Sequence, residues 1–138
     1  MSTQTLSNPY KFRAYRNASL TPTASAATKT PFDSEDYDTN GNFASGTYTA
    51  PVNGFYRFSG RLATTTTRFF ISLYKNSVEV ARGNDCTIVN SNIGSIVTTE
   101  LQLTAGDTVE LWYFTASTNT IEVGSALAYF TGSLISHT

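Results

Sequence analysis

The chain has a single imidazole, His137, and a single thiol, Cys86, in 138 residues. His137 stands next to the last residue, where chain ends fray. A Ser-His-Asp or Cys-His site therefore has no base within one subunit. Zinc sites built from Cys and His lack ligands for the same reason. One cysteine allows no intrachain disulfide. Cys86 reads as a small buried apolar side chain, the alternative being a thiol between subunits near a symmetry axis. No Walker-type or dinucleotide-type glycine loop is present. What remains is oxygen chemistry. Asp33, Glu35, Asp36 and Asp38 are the only concentrated carboxylates. They read as a solvated connection. The sharper alternatives are a calcium site, which oxygen donors suit, and a paired-carboxylate glycosidase. The expectation is a non-enzyme with no cofactor, calcium being the one ion its donors suit.

Composition narrows the partners. Lys and Arg number 9 against 10 Asp and Glu, so no basic stripe marks a nucleic-acid binder. Charged residues are only 14%, which leaves Thr, Ser and Asn to cover the surface. No apolar run reaches about 18 residues, so no membrane-spanning helix and no membrane insertion are expected. Met1 to Asn8 is polar and lacks the apolar stretch of a signal peptide. Export would then occur within a virion, by lysis, or after a separate leader.

The elements that must position these residues are strands. Aromatic residues make up 13% of the chain, and helical periodicity is absent. Alternation places Tyr56, Phe58 and Leu62 on one face and Phe55, Arg57, Ser59 and Arg61 on the other. It does the same for Phe69, Ile71 and Leu73 against Arg68, Phe70, Ser72 and Tyr74. Val109, Leu111 and Tyr113 alternate with Glu110, Trp112 and Phe114, so Trp112 and Phe114 point away from the core. A neighbouring subunit or a loop is expected to cover them. Strands are expected over Lys11–Arg16, Thr28–Phe32, around Tyr37, and over Gly46–Ala50, Gly54–Ala63, Arg68–Lys75, Val78–Cys86, Ser95–Leu103, Thr108–Thr115 and Ala126–Ile135. Asn40-Gly41 and Asn76-Ser77 read as tight hairpin turns. About ten short strands with turns between them describe a sandwich or jelly roll. The chain reads as one domain, residues 1–138, with residues 1–9 as an N-terminal arm.

One stretch is more specific. Phe32, Asp38, Phe43 and Tyr48 are followed by Gly54-Phe55-Tyr56-Arg57-Phe58. This resembles the C1q-domain pattern that ends in Gly-x-Tyr-x-Phe. Leu101-Gln-Leu103-Thr-Ala-Gly106-Asp107-Thr-Val109 is similar to that family's turn between two strands. Phe130-Thr-Gly132-Ser-Leu134 is similar to its C-terminal strand, and Phe12-Arg-Ala14 to its first. The resemblance spans about Tyr10 to Ile135. Tyr48 and Gly60 stand where other aromatics are usual, and no collagen-like stem is present. The looser pattern is nearer to C1q-like domains of bacterial surfaces and phage particles. The implied fold is all-β, a ten-stranded two-sheet jelly-roll sandwich of C1q/TNF-like type.

The resemblance implies a homotrimer packed through one sheet, made of the first, second, last, Gly54 and Ser95 strands. Arg57, Arg61, Glu100, Leu127 and Tyr129 are its expected interface residues, with Glu100 paired to Arg57 or Arg61. Ligand contacts are expected from distal loops, through Thr65, Thr66, Asn92, Ser117 and Asn119. The functional expectation is a virion-surface or extracellular head: a capsid decoration, fibre knob or adhesin. It would contact a capsid, a tail, or a host-surface glycan or protein. The alternative is a soluble lectin-like or cytokine-like binding module.

Overall fold

The computed structural model describes residues 8–65, 68–87, 94–118 and 120–138. Within them the chain forms eleven strands and no helix. They are β1 (Lys11–Tyr15), β2 (Thr28–Lys29), β3 (Ser34–Asp38), β4 (Phe43–Ala44), β5 (Thr47–Thr49), β6 (Gly54–Ala63), β7 (Phe69–Lys75), β8 (Val78–Arg82), β9 (Gly94–Leu103), β10 (Thr108–Thr115) and β11 (Tyr129–His137). The first sheet runs β3-β1-β11-β6-β9. The second runs β4-β5-β10-β7-β8, with β2 added against β10. Every described strand pairing is antiparallel.

The alternation in the sequence becomes the burial pattern. Tyr56, Phe58 and Leu62 of β6 are buried, as are Ile71 and Leu73 of β7 and Val109 and Leu111 of β10. The aromatic residues of the C1q-like pattern meet in one cluster. The Phe12 ring lies 4.7 Å from Phe43, 4.8 Å from Tyr48 and 5.0 Å from Phe130. Tyr48 lies 5.7 Å from Phe58. Two glycines make room for this packing. A Cβ on Gly132 would fall 2.5 Å from the Phe58 ring and 2.7 Å from Phe12, and one on Gly60 would fall 2.8 Å from Leu111. The central position that lacks an aromatic is thus filled by Leu111 from the opposite sheet.

Several sequence expectations change. The eleventh strand is β4, two residues long, which alternation cannot register. The segment Thr28–Phe32 belongs to the second sheet, not the first. Thr30 still donates to Leu111 of β10 (3.0 Å), whereas Asp33 donates to Tyr15 of β1 (3.2 Å). Pro31 between them has no N–H to continue a ladder, so the chain crosses from one sheet to the other there. The place beside β1 is taken by β3.

Asn40-Gly41 is not a hairpin turn, because β3 and β4 lie in different sheets. Only Gly41 has a positive φ (68°), and the Asp38 carboxylate accepts the N–H groups of Asn42 and Phe43 at 3.0 Å each. Asn76-Ser77 is the expected tight turn, with φ of 48° and 68° at the two positions. It joins β7 to β8, which ends at Arg82. Cys86 returns as an isolated bridge to Phe69. The last strand begins at Tyr129 rather than Ala126, since Leu127 and Ala128 both donate to Gly124 in a turn. It runs to His137, which pairs with Gly54 instead of fraying.

Candidate functional site

The two sheets turn very different faces outward. On the first sheet, β6 and β9 lie in register. Phe55 stands opposite Gln102, Arg57 opposite Glu100, Ser59 opposite Thr98, and Arg61 opposite Ile96. Arg57 donates to Glu100 Oε2 from Nε (3.2 Å) and from a terminal nitrogen (2.6 Å). Their side chains are 61% and 57% exposed. On the same two strands Phe55 is 42% exposed and Ile96 51%; Tyr37, on β3 at the opposite edge of the sheet, is 42% exposed. Ile135, 46% exposed, sits in the bulge of β11 beside Phe55.

Arg61 does not reach Glu100. It donates to the Leu127 carbonyl at 2.7 Å, and its guanidinium lies against Gly94, where a Cβ would come within 2.9 Å of it. Tyr129 pairs with Arg61 across β11 and β6. The Arg13 guanidinium rests 4.8 Å above the Tyr129 ring while bonding Asp36 and the Ser125 carbonyl (2.6 Å). The sequence-named residues thus form two groups: Arg57 with Glu100, and Arg61 with Leu127 and Tyr129.

On the outer face of the second sheet the aromatic side chains pack on one another, while Val78 and Val80 on its edge strand β8 are exposed. Phe114 stands opposite Phe70, and their rings stack at 5.2 Å. Trp112 stacks on Tyr74 at 4.7 Å. Arg82 lies 4.3 Å over the Phe70 ring, and Arg68 lies over both phenyl rings. Each cation has a carboxylate: Arg68 has Asp85 (2.7 Å), Arg82 has Glu79 (3.0 Å) and Lys29 has Glu110 (3.4 Å). Partial burial opposes ionisation of Glu110, but the Thr47 hydroxyl, the Trp112 indole N–H and Lys29 together hold its carboxyl below the usual range. Arg82 and the Ser72 hydroxyl hold Glu79 down likewise. Trp112 and Phe114 therefore face outward as alternation requires. Within the chain, Tyr74 and Phe70 of the neighbouring strand β7 pack against them.

The acidic segment is engaged by the chain itself. Asp33 accepts the N–H groups of Asn17 (2.8 Å) and Ala18 (2.9 Å), which outweigh partial burial and keep its carboxyl below the usual range. Asp36 bonds Arg13, and Asp38 holds the turn into β4. The Glu35 carboxyl is pushed up by desolvation and by Asp38. Among the described residues, no group of three or more His, Cys, Asp or Glu is placed to hold a metal ion. Cys86 is buried, and burial together with the Asp85 charge raises its thiol, so it is a poor nucleophile. His137 is exposed, its ring edge-on to Tyr10 at 6.4 Å.

The distal end holds the loop residues. Thr65 follows the bridge of Thr64 to Ile121 and is half-buried. Ser117 is exposed, and its carbonyl accepts the Thr115 hydroxyl at 2.9 Å. Thr66, Asn92 and Asn119 lie outside the described residues. At the opposite end, the Asp107 carboxylate accepts the Thr104 N–H (2.8 Å) and the Asn76 amide (3.0 Å). The Gly-Asp turn thereby locks onto the β7–β8 hairpin.

The family model of the C1q domain matches residues 11–135. The chain belongs to the C1q domain family. The globular domain of zebrafish complement 1qA is similar in structure: TM-score 0.77, 21% identity, covering 94% of this chain and 99% of that one. Eiger TNF from S. frugiperda gives TM-score 0.73 at 8% identity, covering 96% of each chain. Murine APRIL gives 0.71 at 8% identity, covering 91% of this chain and 98% of that one. A search of curated protein sequences found no match. The fold of this C1q domain is thus the C1q/TNF jelly roll. Among the described residues, no helix is long and apolar enough to cross a membrane.

Phe55, Ile96 and Tyr37 were not among the sequence-named site residues, nor was Ile135. The signal for Phe55 and Ile96 was available. Alternation puts Phe55 on the face of Arg57, and Ile96 on that of Thr98 and Glu100.

Proposed function

We propose that this C1q domain is a non-enzymatic head that assembles as a homotrimer through the outer face of its first sheet and binds a partner at its distal rim. The observation that carries this reading is the set of exposed side chains Phe55, Ile96, Ile135 and Tyr37, all on the first sheet and interleaved with the ion pairs Arg57–Glu100 and Arg13–Asp36. Such a mixed apolar and charged surface suits a symmetric interface. Membership of the C1q family supports the same reading. Light scattering on the purified chain is expected to give three times the chain mass. A monomer at all concentrations would sink the assembly.

The finer reading is a virion-surface or extracellular display protein, such as a capsid decoration, fibre knob or adhesin. The low charge content and the Thr-, Ser- and Asn-rich distal loops support it. Capsid or tail genes beside its own gene are the expected finding; an unrelated neighbourhood favours the lectin-like or cytokine-like module instead. A glycan array tests the rim. Signal lost in a Thr65→Ala, Ser117→Ala double variant places binding there, and unchanged signal removes it.

A further inference from the structure

Two Asn-Gly pairs occur in the chain, Asn40-Gly41 and Asn53-Gly54. Each follows a β-branched residue, Thr39 or Val52. In an unfolded chain the two are chemically alike. The main-chain nitrogen after an asparagine can attack the side-chain carbonyl, and glycine, with no Cβ, obstructs that approach least. The fold separates them. Asn40 and Gly41 are both exposed, in the connection between β3 and β4. Nothing lies within 4 Å of where a Gly41 Cβ would sit. The Gly41 N–H donates only to the Asp38 carbonyl, at 3.3 Å, and the Asn40 amide donates to Asn42 Oδ1 at 2.8 Å on the surface. Gly54 instead is buried at the start of β6, in register with Leu103 on one side and His137 on the other. A Cβ there would fall 2.6 Å from Leu134 and from the Ser136 carbonyl. Asn53 is fixed as well: its Oδ1 accepts the Ala105 N–H at 2.8 Å and its carbonyl accepts the Thr138 N–H at 3.4 Å.

We infer that Asn40 is a site of spontaneous covalent modification, deamidation through the Gly41 nitrogen, and that the fold shields Asn53 from the same reaction. The Gly41 nitrogen bonds to Asn40 Cγ as the Cγ–Nδ2 bond breaks. Ammonia leaves with the proton from the Gly41 nitrogen, and a cyclic imide remains. Water then opens the imide. Attack at Cγ leaves aspartate; attack at the main-chain carbonyl leaves isoaspartate, linked onward through Cγ. Closing the ring rotates the main chain between asparagine and glycine. At Asn40 this disturbs one long turn bond. At Asn53 it would pull Gly54 out of the ladder, so reaction there needs local opening of the sheet. Either product sets a carboxylate in the turn where Asp38 accepts the Asn42 and Phe43 N–H groups. That adds like-charge repulsion to the turn that seats Phe43 against Phe12.

The test ages the full chain in mildly alkaline buffer, with a second sample held unfolded in guanidinium chloride. Peptide mass spectrometry reads the replacement of amide nitrogen by oxygen at each asparagine, and enzymatic methylation reads isoaspartate. In the native sample Asn40 is expected to convert at least about tenfold faster than Asn53. In denaturant the two should convert at similar rates. Equal native rates, or an Asn40 as protected as Asn53, would overturn the inference. A slow Asn53 in denaturant would overturn it too, because the contrast would then lie in the flanking residues and not in the fold.

Discussion

The outer faces of the two sheets are built from the same kinds of residue and end in opposite states. Both carry aromatic side chains, arginines and carboxylates. On the second sheet the aromatics meet in cross-strand pairs, Phe70 with Phe114 and Tyr74 with Trp112, and arginines lie over the phenyl rings. On the first sheet Phe55 faces Gln102 and Ile96 faces Arg61 across the β6–β9 ladder, and the apolar neighbour of Phe55 is Ile135 in the β11 bulge. The second face uses its side chains to stabilise its own chain. On the first face Phe55 and Ile96 stay about half exposed.

Three substitutions or conditions can break that contrast. The largest effect on chain stability is expected from Trp112→Ala. It removes a half-buried ring, its stack on Tyr74 and its hydrogen bond to Glu110. A loss of about 2 kcal/mol is expected in urea unfolding, with the assembly state unchanged. A shift in assembly without loss of stability would place the second sheet at the interface.

The next effect comes from acid. Glu79 and Glu110 are held below their ordinary values in the folded chain. A depressed carboxyl contributes stability above its unfolded value of about 4.3, and that contribution is lost as pH falls through the lower folded value. Lowering pH from 5 towards 2 should therefore weaken the native chain more than a Glu79→Gln, Glu110→Gln variant, as followed by intrinsic fluorescence. Equal acid sensitivity would mean that these carboxylates do not stabilise the second face.

The smallest effect on chain stability is expected from Phe55→Ser with Ile96→Ser. Both side chains are about half exposed, so the loss should stay within about 0.5 kcal/mol for each. Association should fall sharply in light scattering. A large loss of stability with unchanged association would make these residues part of the chain's own packing.

Much of the fold was legible because side-chain alternation is local. The inner faces of β6, β7 and β10 follow from period two alone, and Gly106-Asp107 and Asn76-Ser77 follow from turn chemistry. The candidate site was legible in part. Arg57, Glu100 and Tyr129 were placed on the outer face, and so was Phe55 by alternation, though it was not named with the interface residues; Ile96 was not singled out.

The sequence by itself determined which side chains of each strand share a face, because that depends only on backbone pleat. Which strands become neighbours was decided by tertiary structure. Pro31 permits the crossing between sheets, but only the pairing of Asp33 with Tyr15 sends β3 to the edge of the first. Likewise Glu100 had two arginines within reach of the pattern. The β6–β9 register gave it Arg57, and the turn before β11 gave Arg61 the Leu127 carbonyl. Pairing between distant segments depends on how two sheets close over one core, and no local window contains that.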